Sequence, residues 1–283
     1  MNLTAIMPAR NEAWVLGLSA RAALTWCDSI VILDHASEDE TIAIVCGLMD
    51  EFRGRVSFLG EPSPVWNEMN HRQRLLDFAR GIGATHIAPV DADEVLAGDM
   101  LPDIRSHIEG LLPGQFLSCK MRNLHRSIDR YRSDNSPFGS MAGTMLAFAD
   151  SPGLAWAARN GYQHHQRSPH GSYQGPCIEG GGIMHLQFAN WDRLTAKQSW
   201  YQCMERIKYP SKPRQELARA YGRSMDESGL ETSEVPAAWW QPYEAYMHYL
   251  HIDVKPWHRA EINRMFAEHG AEYFSGLNLI GVS

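Results

Sequence analysis

The sequence predicts an α/β fold, a mostly parallel sheet flanked by helices, with a helical C-terminal portion. Three observations carry this expectation. Short apolar runs alternate with helix-period segments through the first hundred residues, the pattern of parallel strands joined by right-handed crossovers. The polar clusters PARNE, DHASEDET and DADE each follow a predicted strand, and ligands of open α/β sheets bind beyond the carboxyl ends of the strands. From Asp192 onward the pattern turns helical, with periodic aromatics at Trp200, Tyr201, Trp239, Trp240, Tyr243, Tyr246 and Tyr249.

The elements follow in order. LTAIM (3–7) is a short apolar strand that stops at Pro8. Asn11 and Glu12 lead into a helix with Val15, Leu18 and Ala22 on one face. SIVIL (29–33) suits a strand buried on both faces. After a polar turn, ETIAIVCGLMDEF (40–52) is a helix closed by Gly54. RVSFL (55–59) is the third strand, and a Pro-rich turn precedes a helix running to about Ala79. THIAPV (85–90) is the fourth strand. QFLSCKMRNL (115–124) and GTMLAFA (143–149) are further strand candidates, and residues 159–182 read as irregular. The Trp/Tyr spacings of 3 and 4 at 239–249 read as one helix core, or as a surface that stacks on a sugar or base.

Composition bounds the function. The chain has 283 residues, 44% apolar and 21% charged, with net charge −7. That bulk charge offers no general attraction to nucleic acid. RNLHRSIDRYR (122–132) is the one local basic stripe. No run approaches the length of a membrane span, the N-terminus carries no secretory pattern, and the expected location is cytoplasmic. Five unpaired-looking cysteines fit a reducing compartment. Cys27, Cys46 and Cys203 read as packing residues. His164, His165 and His170 invite a zinc reading, but no Cys sits at structural-zinc spacing, which favours a polar loop.

VDADEVL (90–96) places Asp91, Asp93 and Glu94 directly after an apolar run. Such charges repel one another and raise one another's pKa. A divalent cation, held by carboxylate oxygens, is one reason to keep them together. A helix start, capped and complemented by acids, is the other.

Four segments in order resemble a family 2 glycosyltransferase over roughly residues 1–100. They are Pro8-Ala9-Arg10-Asn11-Glu12, Asp34-His35-Ala36-Ser37-Glu38-Asp39-Glu40-Thr41, Arg72-Gln73 and Asp91-Ala92-Asp93. The resemblance implies the GT-A nucleotide-diphospho-sugar transferase fold. By the family pattern Asp93 is the principal ligand of Mn²⁺ or Mg²⁺, and Asp91 reaches the ribose or, through water, the metal. Pro8, Ala9, Arg10 and Glu12, with Asp34 and His35, line the base and ribose. Arg72, or failing it Arg74, contacts the base or a phosphate. This chain has His35 where the family has a second Asp, and Gln73 where it has Asn.

GGIMHLQFANWDRLTAKQSWY (181–201) resembles a later feature of the same family. It implies that His185 completes the metal shell and that Lys197 lies near the diphosphate. The plainer readings are a hydrogen-bonded core histidine and a solvated lysine. Most members invert anomeric configuration, which requires a general base. Glu179, before three glycines expected to let the backbone approach a ligand, is the first choice, ahead of Asp134 and Asp192.

The implied activity is metal-dependent transfer of a sugar from a nucleotide-diphosphate donor, a UDP-sugar by family default, to an acceptor hydroxyl. The acceptor by default is a glycan or lipid-linked saccharide; a protein or a modified DNA base are further alternatives. Two rivals stand beside it, a GT-A nucleotidyltransferase and a catalytically silent nucleotide- or sugar-binding module. Residues 1–190 are expected to form the catalytic core, and 191–283 a helical region packed on it.

Overall fold

The computed structural model describes residues 1–139, 143–157 and 166–281. The first half alternates as the periodicity predicts. β1 (Leu3–Ala9), α1 (Leu16–Ala23), β2 (Ser29–His35), α2 (Thr41–Glu51), β3 (Val56–Glu61), α3 (Glu68–Gly81) and β4 (His86–Pro89) follow one another. β5 (Glu94–Leu96), α4 (Leu101–Glu109), β6 (Gln115–Cys119), β7 (Met121–Asn123), β8 (Arg130–Arg132) and β9 (Thr144–Ala149) come next. β10 (Tyr173–Cys177), β11 (Ile183–His185), α5 (Trp191–Lys208), α6 (Arg214–Gly222), β12 (Thr232–Glu234), α7 (Ala237–Trp240) and α8 (His258–His269) complete the chain.

The central sheet has seven strands in the order β10-β6-β9-β4-β1-β2-β3. β1 runs parallel to β2 and β4, and β2 runs parallel to β3. β9 is antiparallel to both of its neighbours. The sheet is therefore mostly parallel and covered on both faces. Along β1, Leu3, Ala5, Met7 and Ala9 pack with apolar residues of α1, α2 and α4. Ile6 points the other way, into a cluster with Met69, Leu75, Leu76 and Ala79 of α3. A smaller sheet, β5-β11-β7, flanks the carboxyl end of β4.

Four expectations are corrected. β1 does not stop at Pro8 but runs to Ala9, because its ladder to β4 ends at Ile6↔Pro89. The missing N–H of Pro8 therefore falls where that neighbour has already left. The segment 239–249 is not one α-helix. α7 ends at Trp240, and Gln241–Tyr249 winds as a tighter 3₁₀ run, which admits Pro242 near its start. Trp239 and Tyr243 are core, and the Tyr243 hydroxyl donates to the Leu96 carbonyl at 2.8 Å. Residues 159–182 are not irregular throughout, since β10 lies among them and pairs with β6. Cys46 is exposed on α2, whereas Cys27 and Cys203 are buried.

Beyond residue 190 the chain is mainly helical. α5, α6 and α8 enclose a cluster around Trp200, Leu217, Ile262 and Phe274. β12 is the exception and pairs with β8. Among the described residues, no helix is long and apolar enough to cross a membrane.

Candidate active site

The carboxyl ends of β1, β2 and β4 open into a cavity of about 410 Å³. Two loops form its rim and are laced to each other by their own polar side chains. Asn11, at φ 53°, accepts from the Glu38 amide (2.7 Å), and its own amide donates to Ser37 Oγ (2.8 Å). Asp39 accepts from the amides of Ala13 and Thr41 (3.1 and 3.0 Å). Thr41 Oγ1 accepts from the Glu12 amide (2.9 Å). Much of the polarity of PARNE and DHASEDET therefore holds loops, as such residues do in turns.

DADE is not a helix start. Asp91 to Asp93 form a turn into β5, and α4 begins only at Leu101. The helix-cap explanation falls, and each acid faces cationic side chains, with Arg167 shared between two of them. Arg72 donates to Asp91 Oδ1 (3.1 Å) and to Glu68 (3.1 Å). Arg167 grips Glu94 with both terminal nitrogens (2.6 and 2.7 Å) and reaches Asp91 Oδ2 at 3.6 Å. Asp93 faces His185 Nε2 (3.5 Å) and Lys197 Nζ (3.8 Å).

Burial pushes Asp91 upward, but Arg72 and Arg167 outweigh it and hold the carboxyl below its ordinary range. Burial likewise opposes ionisation of Asp93, and Lys197 and His185 outweigh it by more. At Glu94 burial prevails over Arg167, and the pKa is raised. Only one of the three is raised, by burial first and Asp91 second, because at the other two the surrounding cations dominate.

His185 arrives through strand register. β11 sets it opposite Glu94 of β5 and beside Asn123 of β7, and the Leu186 amide donates to the Asp93 carbonyl at 2.8 Å. The glycines before it serve packing between backbones. Gly182, at φ +87°, would place a Cβ 2.1 Å from the Lys120 carbonyl oxygen, and one on Gly181 would meet Ala97 and Trp239. Their expected approach to a ligand is thus replaced by close contact with β7 and α7 neighbours.

The residues fit a divalent ion at Asp93 and His185. Asn123 Oδ1 lies 2.9 Å from His185 Nδ1. A neutral ring donating there presents the lone pair of Nε2 on the side of Asp93. The 3.5 Å between Nε2 and Oδ1 is near the roughly 3 Å edge of an octahedral ion with ligands at about 2.1 Å. Among the described residues no group of three or more His, Cys, Asp or Glu forms a closed cage. The other positions would fall to ligand oxygens and water, the usual arrangement for small hard cations on phosphates.

Pro8, Ala9, Arg10, Glu12, His35, Arg72, Asp91, Asp93, His185 and Lys197 all line the cavity. Asp34 is buried beside it, with Oδ2 accepting from the Ser37 amide (3.1 Å). Glu179 is not brought in: its side chain is 80% exposed and pairs with Lys120 at 3.0 Å. Asp134 is buried against Arg132, and Asp192 pairs with Arg259. Arg74 pairs with Glu61, and Gln73 turns to Trp156 and Asp77. Arg126, Arg130 and Arg132 bond Glu227, Thr232 and Asp134, and Arg122 bonds the Gly181 carbonyl, so the 122–132 stripe is committed internally. His164 and His165 lie outside the described residues.

Sequence reading missed Arg193, Glu68, Trp66, His71, Tyr221, Trp257 and His258. Arg193, which bonds Glu12, had a usable signal. With Lys197 and Tyr201 it repeats every four residues on α5, one helix face. The others had none, because they come from four separate elements.

His71 lies 4.4 Å, centroid to centroid, from His35. Burial, with His35 adding to it, pushes His71 down to about 4 from its ordinary 6.5. The unfolded chain therefore binds this proton more readily, so His71 destabilises the fold as pH falls from 6.5 to about 4. Chemical denaturation across that window should show falling stability, and His71→Gln should flatten the slope. An unchanged slope would mean that His71 is already charged in the fold.

No family model matches this chain. Solved structures similar to it include S. aureus TarS 1-349 in complex with UDP, at 19% identity and TM-score 0.37; the match covers 44% of this chain and 36% of that one. S. aureus TarS 1-349 also aligns at 12% identity and TM-score 0.44, over 97% of this chain and 89% of that chain. Glucosyl-3-phosphoglycerate synthase from Mycobacterium tuberculosis, in complex with Mn²⁺ and uridine-diphosphate-glucose, aligns at 14% identity and TM-score 0.29, over 42% and 43%. Fold and site together define an α/β protein whose strand ends carry a deep cavity lined by both acids and cations.

Proposed function

We propose that the chain is a GT-A glycosyltransferase that moves a sugar from a nucleotide-diphosphate donor, a UDP-sugar in the first instance, to an acceptor hydroxyl with inversion. One observation carries the reading. Asp93, His185 and Lys197 meet in the same cavity as the segment after β1 and the carboxyl end of β2. In this reading residues 1–190 are the catalytic core and 191–283 a region packed on it that lends α5 to the site.

Asp93 and His185 would hold Mn²⁺ or Mg²⁺, which as a Lewis acid stabilises the leaving diphosphate. Lys197, whose charge survives burial through Tyr201 and Asp93, faces the same diphosphate. Arg72 fixes Asp91 for the ribose. Glu179 gives way as general base to Glu12, a carboxylate of the cavity. Burial raises its pKa, with Arg193 opposing, and a raised carboxylate suits a base working near neutral pH.

UDP at about one hundred times its dissociation constant should stabilise the protein by about 2.7 kcal/mol in Mn²⁺, read as a rise in Tm, and hardly at all in excess chelator. Equal stabilisation in chelator would remove the metal from the site. No stabilisation by any nucleoside diphosphate would remove the nucleotide reading. The silent-module alternative predicts binding without metal-dependent hydrolysis of UDP-glucose, and a release assay for UDP separates the two.

A further inference from the structure

The cations that line the cavity are not equivalent. Arg72 and Lys197 each face a carboxylate, as does Arg193 just outside the lining. Arg10 lines the same cavity, is only 9% exposed, and among the described residues forms no ion pair. Its side chain donates from Nη1 to the Pro64 carbonyl at 3.0 Å, and Nε has no partner among the described residues. Glu38 and Glu261 lie on its side, but Arg264 engages both, at 3.1 and 2.6 Å. A buried guanidinium without a carboxylate is costly until something negative arrives.

The surroundings of Arg10 supply hydrogen-bond donors. Trp257 stacks over its guanidinium at 5.2 Å. Trp257 packs on Trp200 at 5.1 Å, and Trp200 on Trp66 at 6.0 Å. All three indoles line the cavity, and each has a buried Nε1 without a partner among the described residues. An indole N–H only donates, so a guanidinium and three indoles form a donor set lacking acceptors. Arg10 reaches the segment after β3 through Pro64, whereas Asp93 and His185 sit on the β4 and β11 side. The donor set and the Asp93–His185 pair thus belong to different elements around one cavity.

We propose that Arg10, instead of lining base and ribose as the family pattern implies, anchors a second anion subsite, taking a carboxylate or phosphate carried by the sugar or the acceptor in addition to the donor diphosphate. The word "second" rests on the nucleotide-sugar reading; the subsite itself does not.

Two ligand pairs locate the anion. UDP-glucuronate against UDP-glucose, with Mn²⁺, tests an anion borne by the donor. Glucose 6-phosphate against glucose, with UDP and Mn²⁺, tests one borne by the acceptor. Calorimetry should show a preference of about tenfold or more for the anionic member of one pair, as a charge-assisted bond gives. Arg10→Gln should shrink that preference to within about threefold, and Arg10→Lys should keep part of it. No preference in either pair, or one that survives Arg10→Gln, overturns the proposal. Because no carboxylate is orphaned, the Tm of unliganded Arg10→Gln should not fall. A lowered Tm with unchanged preference assigns Arg10 to the fold alone and also overturns it. If no nucleotide binds the wild type, the second pair is run without nucleotide. A phosphate preference lost in Arg10→Gln then upholds the subsite while the nucleotide reading falls, and its absence ends both.

Discussion

Asp93→Asn is expected to lower metal-dependent transfer, or donor hydrolysis, about a thousandfold. The estimate takes about 4 kcal/mol for Lewis-acid and charge stabilisation at the leaving group and 1.36 kcal/mol per decade of rate. Asparagine keeps the shape of the carboxylate and removes its charge, so the site loses the group that faces both His185 and Lys197. The variant also leaves the Lys197 ammonium opposite a neutral amide. Some loss of Tm is therefore expected together with the loss of rate. Rate should be measured on protein shown by circular dichroism to be folded. A folded variant that keeps more than about a tenth of its rate would show that the leaving group is stabilised elsewhere.

The largest effect on stability is expected at Arg167. Arg167→Met removes a bidentate partner from Glu94, whose side chain is 3% exposed, and a second cation from Asp91. It also releases the carbonyls of Met145 and Pro89. Breaking a buried pair on one side costs about 3–5 kcal/mol, because the remaining charge is stranded. Denaturant unfolding at pH 7 measures it. Removing both charges, in Arg167→Met/Glu94→Leu, should recover much of the loss, since an apolar pair needs no compensation. The comparison is Arg74→Met, which breaks a more open pair with Glu61 and should cost much less, since solvent screens such a pair. If the two single variants cost the same, Glu94 is better solvated than its burial implies.

The first four strands and their helices were legible because alternation and the 3.6 period are properties of a few neighbouring residues. The clusters at the strand ends were legible too, since each directly follows its strand. Individual roles inside those clusters were less so. Asn11, Ser37, Asp39 and Thr41 look like ligand contacts in sequence, yet they bind the two loops to each other. Glu179 looked reactive beside its glycines, but those glycines admit the Lys120 backbone and leave Glu179 facing solvent.

What the sequence alone determined was the order of the first four strands and the helices between them, and the edge of the sheet at which polar residues gather. What only the tertiary structure decided was which charge meets which. Glu94 and Arg167 are separated by 73 positions, and Glu12 and Arg193 by 181. His185 reaches Asp93 because β11 inserts between β5 and β7. No local period encodes such a meeting. It depends on which strands become neighbours, and a charge acts over a few ångströms of space whatever length of chain lies between.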